Sequence, residues 1–385
     1  MVLSLKPAGA ACNMACTYCY YREKGALTGF GKMSDDTLEK SIRQYAEAMP
    51  PNAPLQFLWH GGEPMLMPLS FYRKALDIQH KVASGRPVAN SLQTNGTLIT
   101  PEWADFFAKE GWLLGVSIDG PETVHDRFRR LASGEKTHSA LLNGLGLLDS
   151  AGAQWNAMAT VNCANVGHPD EFYDFFKTIG ARYIQFSPIV ERRHTGSGLL
   201  SAIEPGGNLT PESITAADWG NFLCGVFDRW KIADVGKVFV QIFEATLALK
   251  LGVLPGVCIF APECGTAPIV EADGSVYCCD HFVFDSFRLG NIHTTSLNAM
   301  LNSDTMAHFR RLKSTRNTKE CSGCRYIDLC NGECPKNRFA AGTSDNTSAK
   351  NYLCEGYRAY FKHVDSFMEH AKSEILARMR QMRHY

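Results

Sequence analysis

Three cysteines, Cys12, Cys16 and Cys19 in the run CNMACTYC, stand at C-x3-C-x2-C spacing near the start of a 385-residue chain. Three thiols this close cannot all pair as disulfides. Two metal chemistries suit them. One is a zinc knuckle completed by a distant fourth ligand. The other is an iron-sulfur cube, which three thiolates hold with one iron left open to bind and activate a small molecule. A second set lies toward the other end: Cys321, Cys324, Cys330 and Cys334 run C-x2-C-x5-C-x3-C, with Cys354 after them and Cys258, Cys264 and Cys279 before. Eight thiolates make two four-ligand sites, and taken alone they suit zinc ribbons and iron-sulfur cubes about equally. Beside the N-terminal triplet, iron is favoured. Cys163, Cys224 and Cys278 are left over and are expected to be buried structural thiols.

Something must hold these thiols in place. The first half alternates short apolar segments with amphipathic ones. Strands are expected at Leu3–Lys6, Leu55–Trp59, Asn90–Gln93, Leu113–Ile118, Gln154–Val161 and Tyr183–Pro188. Helical periodicity lies between them at Ser34–Met49, Leu69–Val82, Pro101–Lys109, His138–Ala151 and Pro169–Thr178. Repeated strand–helix units imply parallel strands with right-handed crossovers. Six of them make an α/β fold, a partial (β/α)6 TIM-like barrel, with a doubly wound open sheet as the alternative. In either, chemistry belongs at the carboxyl ends of the strands. The Cys triplet, HGGEP (His60–Pro64), QTNG (Gln93–Gly96) and SIDG (Ser117–Gly120) fall at the ends of the first four strands. The stretch from Glu191 to Pro211 is rich in Gly, Ser and charge and is expected to be a long functional loop. Helices are expected over Ala216–Lys231 and Val238–Leu251, and Ile269–Cys279 reads as a hairpin about Asp273-Gly274.

Composition narrows the function classes. Hydrophobic content of 45% with 20% charged residues is ordinary for a globular protein. Formal net charge is zero, so no electrostatic footprint points to nucleic acid or an anionic membrane. MVLSLKPAG lacks the lead-in of a signal peptide, and no apolar run is long enough to span a bilayer. A cytoplasmic location follows as the expectation, and 14 cysteines in that setting argue for metal rather than disulfides.

Over Lys6 to about Tyr360 the chain resembles the anaerobic sulfatase-maturating enzymes, which are radical S-adenosyl-L-methionine (SAM) proteins with a SPASM extension. The stretches that carry the resemblance are CNMACTYCYY, HGGEPMLMPLSFY, NSLQTNGTLI, GVSIDGP, YIQFSPIVERR, DGSVYCCDHFV, RLGNIH, CSGCRYIDLCNGECPKNRF and NYLCEGY. The SAM-binding half is common to many radical SAM enzymes. The eight later cysteines, with the Cys279-Asp280 pair and RLGNI, are more specific. One departure is His60, where some members carry Gln.

The resemblance implies three [4Fe-4S] clusters and SAM. Cys12, Cys16 and Cys19 would hold the SAM-binding cluster. Cys258, Cys264, Cys279 and Cys334 would hold one auxiliary cluster, and Cys321, Cys324, Cys330 and Cys354 the other. Gly62, Ser117, Arg129 and Val190 would line the SAM pocket, and Tyr18, between the last two cysteines of the triplet, belongs to the same pattern. The implied domains are a radical SAM barrel over 1–235 with the loop 191–211, a connecting helix over 236–257, a SPASM module over 258–360 and a C-terminal helix over 361–385.

The implied reaction oxidises a cysteine or serine of a sulfatase to Cα-formylglycine through a 5′-deoxyadenosyl radical. Asp280 is expected to be the general base, its pKa raised by the charge of the neighbouring cluster. Tyr21 is expected to hydrogen-bond near it, and His281 to point to the opposite face if the strand continues. The implied partners are an unfolded or nascent sulfatase carrying C/S-x-P/A-x-R and a reductant such as flavodoxin or ferredoxin, with no nucleic acid or membrane. Two other readings compete: a SPASM enzyme that cross-links a different ribosomal peptide, and a non-catalytic zinc-binding interaction protein.

Overall fold

A computed structural model of the chain describes residues 1–29, 31–193, 207–313, 319–340 and 350–382. The apolar segments form strands and the amphipathic ones helices, in the order β1 Leu3–Leu5, α1 Asp35–Ala48, β2 Leu55–Trp59, α2 Leu69–Ala83, β3 Val88–Thr94, α3 Pro101–Lys109, β4 Leu113–Ser117, α4 Glu122–Phe128, α5 His138–Ala151, β5 Gln154–Val161, α6 Pro169–Thr178 and β6 Tyr183–Pro188. Then follow α7 Ala216–Ala233, β7 Phe239–Val240, α8 Gln241–Lys250, β8 Ile269–Val270, β9 Ser275–Tyr277, β10 Arg288–Asn291 and a last helix, α9, Cys354–Met382. Local chemistry sets several of these ends. The Ser34 hydroxyl accepts from the Thr37 amide to start α1, whose buried stripe is Leu38, Ile42, Tyr45 and Ala46. Thr100 caps α3 in the same way, with Pro101 in the first helical turn, where a missing N–H costs nothing.

The chain packs as two compact units. The first contains residues 1–158 and 265–310, and the second residues 159–193, 207–264 and 311–382. Strand β5 carries the chain out of the first unit. In that unit the hydrogen-bonded strand order is β10-β9-β8-β1-β2-β3-β4-β5. From β1 to β5 every pairing is parallel, as the strand–helix repeats require. On its other edge β1 pairs in parallel with β8, and β8–β9–β10 is an antiparallel meander. The segment carrying Cys279 thus adds its strands to the sheet that begins with β1. Aromatic side chains fill the space under the sheet: Trp59 lies 6.0 Å from Trp112 and 5.5 Å from Tyr72 between ring centroids.

In the second unit β6 pairs in parallel with β7. Because Phe239 and Val240 join that ladder, the helix expected from Val238 begins only at Gln241. Helices α7, α8 and α9 bury Trp219, Phe227, Trp230, Phe243 and Tyr360. The terminal helix starts at Cys354 itself, seven residues before the boundary expected for it. Of the loop expected over 191–211, Arg192–Arg193 pairs antiparallel with Asn208–Leu209, and 194–206 lies outside the described residues. All 14 cysteines are described and none is in a disulfide. Among the three left over, only Cys278 is buried. Cys163 is exposed and Cys224 half-buried, because they lie at the surface of the second unit rather than in its core.

Candidate active site and cluster-binding thiols

The loop after β1 carries the cysteine triplet and is fixed from two sides. On one side, the Gly62 amide donates to the Gly9 carbonyl and the Glu63 amide to the Ala11 carbonyl, each at 2.8 Å. A Cβ on Gly62 would sit 2.0 Å from the Ala11 carbonyl oxygen, so only glycine lets HGGEP lie this close to the triplet. On the other side, the Ala15 amide donates to the Arg130 carbonyl at 2.8 Å and the Thr17 amide to the Phe128 carbonyl at 3.1 Å. Burial, together with Glu63, Cys16 and Cys19, pushes the Cys12 thiol up to about 12. The Cys16 thiol is pushed up to about 11 by burial, against the pull of Arg129. Three unbridged thiols within electrostatic reach of one another resist ionising together unless a bound cation compensates them, and a coordinating metal centre does that. The donor set therefore fits a cluster.

Glu63, which sequence reasoning passed over inside HGGEP, joins two strand ends. Its carboxylate accepts from the Asn95 amide at 2.8 Å, the Thr94 hydroxyl at 2.9 Å and the Met65 amide at 3.0 Å. Burial pushes it up to about 7 against those three bonds.

At the end of β4 lies a second group. Ser117 closes the strand and is buried. Two residues on, the Asp119 carboxylate pairs with Arg129 Nε at 2.9 Å and accepts from the Tyr18 hydroxyl. The Arg129 guanidinium lies over the Tyr18 ring, 5.4 Å from its centroid. Tyr18 and Arg129 thus lie beside the triplet in the first unit, and Ser117 ends the strand two residues before their shared partner Asp119. Val190 is buried in the second unit, just after β6. Asp119 is the member of this group that its sequence setting, a common SIDG turn, did not single out.

Asp280 sits in a third cluster, again in the first unit. Lys6, completely buried, donates to Oδ1 and Tyr20 donates to Oδ2, while Lys24 Nζ donates to the Asp280 carbonyl at 2.7 Å. Lys6 Nζ also lies 3.2 Å from the centroid of the Tyr21 ring and 3.8 Å from Glu271 Oε1. Burial pushes the Asp280 carboxyl up, but Lys6 above all, with Lys24, outweighs it and holds it well below the usual carboxylate range. The cluster's charge is expected to act the other way; among the protein's own groups the downward pull comes from Lys6, which no local signal advertised. Tyr20 bonds Asp280 itself, while the Tyr21 hydroxyl hydrogen-bonds beside it, donating to Glu271 at 2.5 Å. A further expectation is corrected. The strand ends at Tyr277, and Asp280–Phe282 is a 3₁₀ turn. His281 therefore does not alternate to the far face, and its ring lies 5.1 Å from that of Tyr20. His60 is also near: burial pushes it down to about 4 against the pull of Asp280, so it is neutral, and its Nε2 has no hydrogen-bond partner among the described residues.

The remaining thiols divide by unit. Cys321, Cys324, Cys330 and Cys354 all lie in the second. The Cys330 thiol is pushed up to about 12 by burial, then by Glu333, Cys354 and Cys321, so these groups feel one another. Cys258, Cys264 and Cys334, in the same unit, surround Lys313, which donates to the Cys258 carbonyl and, at 2.7 Å, to that of Ile259. Cys279 belongs to the first unit. Glu333, buried with φ of 54°, accepts from Asn337 at 3.2 Å and from Asn351. Neither Lys313 nor Glu333 carries a sequence signal of its own. Among the described residues no three His, Cys, Asp or Glu side chains converge as a site for a single metal ion.

Comparison with known proteins identifies the family of both cysteine-bearing regions. The model of the radical SAM superfamily matches residues 7–176, and that of an iron-sulfur cluster-binding domain, SPASM, matches residues 258–325. The serine-type anaerobic sulfatase-maturating enzyme of Bacteroides thetaiotaomicron is 46% identical over 385 residues, covering 98% of this chain and 92% of that enzyme. The serine-type enzyme of Klebsiella aerogenes is 36% identical over 363 residues, covering 94% of this chain and 84% of that enzyme. The solved structure of native anSMEcpe with bound AdoMet superposes with a TM-score of 0.86 at 28% identity, covering 97% of this chain and 99% of that one. With near full-length identity of this order, with both family models placed on the two cysteine-bearing regions, and with the fold shared, the chain is a radical SAM enzyme and belongs to the anaerobic sulfatase-maturating enzyme family.

Proposed function

We propose that this enzyme oxidises a serine of a nascent or unfolded sulfatase, within a C/S-x-P/A-x-R segment, to Cα-formylglycine. The observation that carries this reading is the half-buried carboxylate of Asp280, held by Lys6, Tyr20 and Lys24 one residue after a proposed cluster cysteine. Converting a Cβ–OH group to an aldehyde removes a hydrogen atom, an electron and the hydroxyl proton. The proton needs a fixed acceptor within hydrogen-bond reach, and Asp280 is fixed at both oxygens and at its own carbonyl, although Lys6 lowers its basicity. Serine is favoured as the target because the relatives at 46% and 36% identity both bear the serine-type name.

Cys12, Cys16 and Cys19 would hold the SAM-binding cluster, with Tyr18, Gly62, Ser117, Arg129 and Val190 around SAM. Cys258, Cys264, Cys279 and Cys334 would hold one auxiliary cluster, and Cys321, Cys324, Cys330 and Cys354 the other. When bound, SAM and the clusters supply a hydrogen-abstracting 5′-deoxyadenosyl radical and an acceptor for the second electron. The chain's own part is to orient the target Cβ, exclude water and take the proton at Asp280 Oδ1 or Oδ2. An electron donor of the flavodoxin or ferredoxin type and a cytoplasmic setting complete the reading. No helix among the described residues is long and apolar enough to cross a membrane.

The test is anaerobic reaction of the reconstituted enzyme with paired peptides differing only in Ser or Cys at the target, read by mass spectrometry. Aldehyde in the Ser peptide is expected, with less in the Cys peptide; aldehyde in neither sinks the reading. Asp280→Asn keeps the shape of the side chain and removes its basicity. It should still form 5′-deoxyadenosine but almost no aldehyde, and a near-normal aldehyde yield would move the base to His281 or Tyr21.

A further inference from the structure

Asp119 is completely buried, and its Oδ2 receives two donors, Arg129 Nε at 2.9 Å and the Tyr18 hydroxyl. With Nε committed, the terminal nitrogens of Arg129 donate no hydrogen bond to any described residue. The backbone around the pair is tied as well. The Asp119 amide donates to His125 Nδ1 at 3.3 Å, which places the ring proton on Nε2, and Nε2 donates to Thr137 Oγ1 at 3.1 Å. Thr137 Oγ1 in turn donates to the Arg129 carbonyl at 2.8 Å. Main chain and side chain thus form a closed ring: Asp119, His125, Thr137, Arg129 and back to Asp119. Tyr18 closes the top of it, bonded to the carboxylate and stacked on the guanidinium.

We infer that Asp119 is a positioning residue for SAM: with Tyr18 it fixes the plane of the Arg129 guanidinium through Nε, so that the two terminal nitrogens are presented as a ready fork for the carboxylate of SAM. This rests on the proposed reading that Arg129 lies around SAM, and adds that its terminal nitrogens receive the carboxylate. A guanidinium binds a carboxylate best as a planar, two-bond fork. A side chain with four rotatable bonds loses that geometry unless something anchors it, and anchoring before the ligand arrives reduces the ordering cost of binding. Asp119 anchors the one nitrogen the fork does not use. The ring through His125 and Thr137 holds both main-chain ends of the pair, so neither partner can drift.

The experiment is equilibrium dialysis of the anaerobic, cluster-loaded enzyme with SAM and with decarboxylated SAM, read as the preference between them, with iron content as a check on folding. Arg129→Met should lower the preference for SAM about tenfold or more, the worth of a charge-assisted bond. Asp119→Asn should lower it nearly as much, and Tyr18→Phe, which removes one of the two donors, several-fold. If Asp119→Asn does not accumulate with normal iron, Tyr18→Phe decides. Wild-type preference in both variants while Arg129→Met loses it overturns the inference, as does an equal loss of affinity for both ligands, which would make Asp119 merely structural. Unchanged preference in Arg129→Met instead removes the assignment of Arg129 to SAM, and the inference falls with it.

Discussion

His125 is a neutral histidine whose two ring nitrogens are both committed, one accepting from the Asp119 amide and one donating to Thr137. Protonation would turn the acceptor into a second donor facing an N–H and add a charge beside Arg129. Burial, then Arg129, pushes its pKa down to about 3, against Asp119 and Asp126. In the unfolded chain an ordinary histidine titrates near about 6.5. Between those values the unfolded state binds more protons. The stabilisation is therefore fully present above about 6.5 and is lost as pH falls toward 3, by at most about 1.4 kcal/mol per pH unit for one proton. His60, pushed down to about 4 by burial, acts in the same direction. Urea unfolding of the wild type and of His125→Gln from pH 7 down to about 5 should show the wild type losing stability faster. Parallel slopes would refute the neutral, doubly bonded ring.

At the scale of elements, the place of Cys354 depends on how closely two helices approach. Helix α9 begins at Cys354 and crosses α7 at Gly356 and Gly220. A Cβ on Gly356 would lie 2.2 Å from the Ala216 carbonyl oxygen and 3.0 Å from the Gly220 nitrogen. Those are backbone atoms, which cannot swing aside as a flexible side chain would. Gly356→Ala should force the helices apart, costing about 1–3 kcal/mol or more, and displace Cys354, so that both the unfolding temperature and the bound iron fall. Gly146, exposed in the middle of α5 with nothing within 4 Å of its Cβ position, is the matched control. Gly146→Ala should stabilise by roughly 0.5–1 kcal/mol through helix propensity alone. Equal behaviour of the two variants would show that the Gly356 crossing is looser than the structure has it.

Across the whole molecule, the thiols of two proposed clusters are segregated: Cys12, Cys16 and Cys19 lie in the first unit, and Cys321, Cys324, Cys330 and Cys354 in the second. Ala at all three triplet positions should therefore abolish 5′-deoxyadenosine formation while iron falls only from about twelve to about eight per chain. Loss of nearly all iron would mean that the sites do not assemble independently. Cys321→Ala should also lower iron to about eight. It should in addition lower the unfolding temperature, since that site joins the short helix Lys319–Ser322 to the start of α9 and its binding energy is folding energy.

What the amino-acid sequence by itself determined is what short-range spacing encodes. The strands Leu55–Trp59, Gln154–Val161 and Tyr183–Pro188 and the helices Pro101–Lys109 and His138–Ala151 were legible to the residue. Each is a run whose apolar period and terminal residues are complete within a few positions. The cysteine sets were legible because metal ligands cluster in sequence. Only the tertiary structure decided who meets Asp280. Lys6 is 274 residues away and Tyr20 is 260, and neither a lone lysine after a strand nor one of two adjacent tyrosines carries a local mark. The choice of Tyr20 over Tyr21 turns on which way two neighbouring side chains face, and the place of His281 on a 3₁₀ turn where a strand was expected. Asp119, hidden in a four-residue turn, shows its role only when Arg129 is brought to it. A buried ion pair is made by chain crossing, and contacts between distant stretches have no period from which to be read.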